Sequence, residues 1–134
     1  MLRPSRATGA LLAVQVVFQT ALAAGAPWGR FAYGGAHEGR LPVALRRTSG
    51  VAAVGYAAGT LALVTDAGAP AARRAALTGL AAFMAAGTVL NGVSRSSGER
   101  LLWAPYCAAT AVLAWRARPE AQGTRATRVI TGGR

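Results

Sequence analysis

Four stretches of this chain carry no charged side chain: Ala7 to Gly29, Thr48 to Thr65, Ala75 to Ser94 and Leu101 to Trp115, of 23, 18, 20 and 15 residues. A helix at a boundary with water needs a charged or polar face, and runs of this length without one imply hydrocarbon as the surrounding medium. A single Arg or Asp at the centre of a spanning helix costs roughly 2.5–3.5 kcal/mol on the insertion scale. None of the four runs contains one. Mean hydropathy is only +0.33 because the runs are filled with Ala and Gly, so the absence of charge is the stronger sign.

The basic side chains are 15 Arg with no Lys, set against Glu38, Asp66, Glu99 and Glu120, for a net charge of +11. In a soluble chain that balance points to nucleic acid. Here the apolar runs divide the arginines among five short segments, no continuous basic stripe can form, and nucleic acid is not expected as a partner. Anionic phospholipid headgroups are, at about 1 kcal/mol per Arg held near the surface. Nine arginines fall on one side of the runs (Arg3, Arg6, Arg73, Arg74, Arg116, Arg118, Arg125, Arg128, Arg134) and six on the other (Arg30, Arg40, Arg46, Arg47, Arg95, Arg100). The excess places both termini in the cytoplasm, with the protein multi-pass in a bacterial inner membrane.

The expected fold class is all-α, a polytopic four-transmembrane-helix bundle over residues 1–118, with spans near 7–26, 43–66, 71–93 and 97–117. Residues 119–134 read as a basic, flexible tail. Arg3 and Arg6 followed by an apolar run and Ala21-Leu22-Ala23 also resemble a cleavable signal peptide, but the uncharged run continues to Gly29, and Gln15 and Gln19 interrupt it. A full span is the preferred reading. Pro42 suits the first turn of the second helix. Ser96-x-x-Glu99 has capping-box spacing for the fourth, in which Pro105 predicts a kink that frees the Leu101 carbonyl.

Chemistry-bearing residues are sparse. Gly55-x-x-x-Gly59 is a close-packing motif for helices in lipid, either within the bundle or between copies. Gln15, Gln19, Tyr56, Thr60 and Asn91 are polar residues inside spans, read first as interhelical glue and second as the lining of a solute path. Cys107, the single cysteine, reads as a small buried hydrophobe. No His or carboxylate lies in mid-membrane, no metal or cofactor site is expected, and there is no phosphate loop or nucleophile elbow.

Two connections on the same face stand out. The long first one, Gly25 to Pro42, mixes glycines with aromatics; the other runs from Asn91 to Arg100. Together they bring His37, Glu38, Arg40, Arg46, Asn91, Ser94, Arg95, Ser96, Glu99 and Arg100 toward one polar cap, where Glu38 and Glu99 can pair with the arginines. Trp28, Tyr33 and Trp103 read as interfacial anchors. His37 beside Glu38 is an acid–base or metal pair in form, yet one His supplies no ligand set.

At these connections the chain resembles a family of small, four-span, uncharacterised bacterial integral membrane proteins. The matching residues are Gly25-Ala-Pro-Trp-Gly, Tyr33-Gly-Gly, Leu41-Pro-x-x-Leu-Arg46, Asn91-x-x-Ser-Arg-Ser-x-x-Glu-Arg100 and Trp103-x-Pro105, within residues 8 to 117. Tyr33 stands where the family usually has Trp. The resemblance implies a four-span architecture and carries over no catalytic residue.

The leading functional expectation is a non-enzymatic membrane module whose cationic cap (Arg40, Arg46, Arg95, Arg100) binds a lipid headgroup or a membrane protein partner, or joins copies of itself. The alternative is an oligomeric small-solute transporter with Gln15, Gln19 and Asn91 along the path, which requires a polar cavity reaching mid-bilayer. A membrane enzyme built on His37 and Glu38 is the third reading.

Overall fold

The computed structural model describes residues 3–120, and the tail beyond them lies outside the described residues. Within that range the chain is all-α with no strand. Its helices are α1 (Pro4–Ala24), α2 (Val43–Val64), α3 (Pro70–Gly92) and α4 (Ala104–Arg116), with a π-helical turn, Glu99–Trp103, leading into α4. Each helix falls on one uncharged run.

The ends follow from local chemistry. Pro4 and Pro70 open α1 and α3, where a missing N–H leaves nothing unpaired. α1 stops at Gly25, whose φ of 99° lets the N–H groups of Gly25 and Ala26 turn back onto the carbonyls of Leu22 and Ala21. Pro42 sits at the N-cap of α2, one residue outside the helix. The α2–α3 turn passes through Asp66 (φ 53°) and Gly68 (φ 93°), and Arg73 Nη2 closes it on Asp66 Oδ1 at 2.5 Å.

Pro105 is accommodated differently from the expected kink. Helix begins at Ser97, and the turn before the proline widens so that the Ala104 N–H reaches the Glu99 carbonyl, five residues back. A π turn takes up the ring that an α-helical path would clash with, and residues 97–116 run as one continuous helix.

α2 lies along α1 and α3 along α4, and the two hairpins meet where α1 touches α4. Tyr106 fastens that junction by donating its hydroxyl to the Leu11 carbonyl at 2.6 Å. The main core is Leu12, Leu63, Leu77, Ala81, Met84, Cys107 and Ala114; a smaller cluster of Leu22, Ala32 and Leu41 sits beneath the first connection. α2 and α3 make no extended contact, although only five residues join them. Between them runs an apolar groove of about 530 Å³ bordered by Leu12, Gly55, Tyr56, Leu77 and Phe83.

Many of the larger apolar side chains point outward. Val51 is 76% exposed, Val17 67%, Leu90 69% and Leu101 79%, one or more from each helical segment. By length and composition, α1 and α3 are able to cross a membrane.

The Gly55-x-x-x-Gly59 motif is half used in packing. A Cβ on Gly59 would come within 3.2 Å of Leu12 Cδ1 on α1, whereas one on Gly55 would meet nothing within 4 Å, because Gly55 faces the open groove. Gly59→Val is therefore expected to destabilise the protein by about 1–3 kcal/mol through overpacking, and Gly55→Val by far less. Denaturant titration of both variants in detergent checks the difference.

Candidate functional site

The site forms where the two long connections meet above the bundle. The first connection folds into two 3₁₀ turns, Gly29–Phe31 and Tyr33–Gly35. Tyr33, Gly34 and Gly35 all have positive φ (52°, 76° and 70°), a run that suits two glycines and strains the tyrosine. Two contacts of its hydroxyl hold Tyr33 in place. Its hydroxyl lies 2.9 Å from Ser49 Oγ and donates to the Leu45 carbonyl at 3.3 Å, both on α2.

That backbone turn aims the Gly34 N–H at Glu99 Oε1, 2.8 Å away across 65 residues of sequence. Ser94 donates its hydroxyl to Glu99 Oε2 at 2.5 Å. Two further bonds pin the connections together: Ser96 Oγ donates to the Arg30 carbonyl at 2.7 Å, and Trp103 Nε1 to the Phe31 carbonyl at 2.7 Å. Gly98 lies so close to the Phe31 ring that a Cβ there would sit 2.4 Å from it. The result is a lid over the end of the bundle.

Under the lid is a chamber of about 210 Å³. Its polar lining is Gln15, Gln19, Asn91 and Glu99, and its rings are Phe18, Phe31, Tyr33, Tyr56, Phe83 and Trp103. Gln15 is 7% exposed and lies midway along α1, so the chamber reaches the middle of the bundle. The side-chain oxygens of Gln15 and Gln19 are buried without a hydrogen-bond partner. Asn91 donates to the Gly87 carbonyl at 2.7 Å and lies 3.7 Å from Cys107 Sγ, which also lines the chamber. An outer cleft bordered by Gly34, Ser94 and Arg95 shares Asn91, Glu99 and Phe83 with the chamber. Phe83 and Tyr56 also separate the chamber from the groove between α2 and α3.

Several expected roles change. Glu99 is 6% exposed and pairs with no arginine; the one ion pair among the described residues is Arg73–Asp66. The capping box is half formed, since Ser96 Oγ accepts the Glu99 N–H at 3.3 Å while the Glu99 carboxylate crosses to the lid. The Ser96 N–H is occupied by Ser94 Oγ, so the carboxylate has no call to reach back. Trp103 is 7% exposed, a chamber wall and not an outward anchor, whereas Trp28 and Tyr33 are 41% and 38% exposed. Of the cap arginines, Arg46 Nε donates to the Ala23 carbonyl and Arg100 to the carbonyls of Ser94 and Arg95; the arginines at 40 and 95 are exposed. His37 and Glu38 border neither chamber nor outer cleft. Sequence reasoning missed Phe18, Tyr106 and the convergence of Glu99 with Gln15 and Gln19, which only the fold of the first connection creates.

No protein family, curated protein or solved structure matches the chain.

Removing the Glu99 carboxylate takes the acceptor from the part-buried Gly34 N–H and from the Ser94 hydroxyl, two bonds worth together about 1–3 kcal/mol. Glu99→Ala is expected to destabilise by that amount. Glu99→Gln, which keeps an acceptor for Gly34 and offers an N–H to Ser94, is expected to stay nearer the parent. Unfolding curves of the two variants in detergent provide the comparison.

Proposed function

We propose that this chain is a four-span membrane protein that binds a small polar solute inside its bundle and passes it along a path through the chamber. The observation that carries this reading is the set Gln15, Gln19, Asn91 and Glu99 around one central cavity, with two amide oxygens lacking any partner. A buried polar group without a partner loses about 1–3 kcal/mol, and a cavity beside it offers room for whatever satisfies it.

The membrane setting is supported by three features taken together. The uncharged runs fall on the helices, exposed valines and leucines such as Val17, Val51, Leu90 and Val112 lie outward on every helix, and the helix threonines turn their hydroxyls onto carbonyls four residues back, as Thr8, Thr60, Thr78, Thr88 and Thr110 do. Exposed apolar surface on this scale is unusual for a protein in water. α2 is diluted by Gly and Ser and begins with Arg46 and Arg47, and α4 is short; in the proposed arrangement the arginines at their ends reach out to headgroup level. Both termini lie on the cytoplasmic side of a bacterial inner membrane, and the lid and outer cleft face away from it.

Lipid headgroup contact is the lesser role in this reading. The exposed arginines at positions 30, 40, 47 and 95 share the lid's face and anchor it to anionic lipid, while the guanidinium groups of Arg46 and Arg100 are already engaged with backbone carbonyls.

Two measurements test the proposal. The protein is expected to stay in membranes washed with alkaline carbonate, and release into the supernatant would refute the membrane reading. Cys107, the only thiol, borders the chamber. A small membrane-impermeant thiosulfonate added from the outer side is expected to label it, with Cys107→Ser as the blank. A thiol that stays unlabelled in intact membranes but reacts after denaturation would mean that no aqueous path reaches the chamber.

A further inference from the structure

Resting on the solute-binding reading, we propose that the chamber is selective for a small organic cation bearing N–H donors, such as a primary ammonium or a guanidinium, and that Glu99 is its counter-ion.

The chamber holds free acceptors. The buried amide oxygens of Gln15 and Gln19 have no donor, and the Glu99 carboxylate has donors from Gly34 and Ser94 on two of its roughly four lone-pair positions. Trp103 donates to the Phe31 carbonyl, Asn91 to the Gly87 carbonyl and Tyr33 to the Leu45 carbonyl. The two amide oxygens and the open positions on Glu99 are what an N–H-bearing ligand would meet.

The charge balance points the same way. Glu99 is the only ionisable carboxylate on the chamber wall, and no arginine lines the chamber. Arg95 borders the outer cleft and is exposed, and the Arg100 guanidinium is held on the Ser94 and Arg95 carbonyls. A buried carboxylate without an ion pair attracts a cation and repels an anion. Six aromatic side chains complete the wall, and the negative faces of such rings favour a positive charge within about 6 Å. At about 30 Å³ per water, the cavity of about 210 Å³ holds on the order of seven waters or a ligand of comparable bulk.

The experiment compares three probes of one shape on the full-length protein in detergent: n-butylammonium, n-butanol and butyrate, followed by tryptophan fluorescence, since Trp103 is in the wall. Butylammonium is expected to bind saturably, and butanol and butyrate at least tenfold more weakly. Glu99→Gln is expected to abolish the preference for the cation. Gln15→Leu, which leaves the lid bonds intact, is expected to weaken butylammonium at least threefold and serves if Glu99→Gln does not fold. Equal binding of butanol and butylammonium, or a cation preference that survives in the folded Glu99→Gln protein, would overturn the proposal while leaving a solute chamber in place. Failure of all three probes to bind, with water as the only occupant, would overturn both the cation assignment and the solute-binding reading.

Discussion

In the proposed membrane setting every backbone polar group must find its partner inside the protein, and this requirement would organise the molecule. It restricts the uncharged runs to helices and decides what their polar side chains do. Seven threonines, at positions 8, 48, 60, 65, 78, 88 and 110, donate to the carbonyl four residues earlier instead of reaching outward. The same requirement explains the π turn: Pro105 cannot donate, and widening the preceding turn keeps the helix bonded by letting Ala104 reach Glu99. Besides the short α2–α3 turn, the irregular backbone between the helices lies in the lid, where Gly34 and Trp103 donate to acceptors on the facing connection.

A core assembled largely from Ala, Leu and Met, with Gly59 in close contact with α1, lets α2 lie tightly along its neighbour. It also leaves the groove between α2 and α3 open. The chamber and this groove are neighbours for one reason: Tyr56 and Phe83 stand between the hairpins and fill only part of the space that splayed α2 and α3 leave. Two hairpins held mainly through α1 and α4, with Tyr106 bonded to Leu11 at the junction, form a hinge-like arrangement whose free edge is that groove.

The helices were legible in the sequence because the absence of charge is a local property that does not depend on neighbours. The expected span at 43–66 became Val43–Val64, and that at 71–93 became Pro70–Gly92. Partnerships were less legible. Glu99 at three residues from Ser96 has the spacing of a capping box, and nothing local announces that its carboxylate is instead drawn to Gly34, a residue 65 positions away that is presented by left-handed backbone. Gly55 and Gly59 are equivalent in the motif, yet only one meets a neighbour, since which side of α2 is covered is a tertiary fact. The glutamines were recognised as a polar pair; the cavity that gives them a purpose depends on a lid built from another part of the chain.

A chain with 15 arginines might be expected to neutralise its one buried carboxylate, and the geometry explains why it does not. The arginines sit where the uncharged runs end, and two of those near the lid are spent there: Arg46 on the last turn of α1 and Arg100 on the start of its own helix. Glu99 is turned to the lid, where its carboxylate accepts from Gly34 and Ser94, two neutral donors. At an effective dielectric of about 20, a unit charge 4 Å away still interacts by about 4 kcal/mol, larger than the roughly 0.5–1.5 kcal/mol of one ordinary hydrogen bond. In the proposed site the field of an ionised Glu99 would be what separates a cation from a neutral molecule of the same shape.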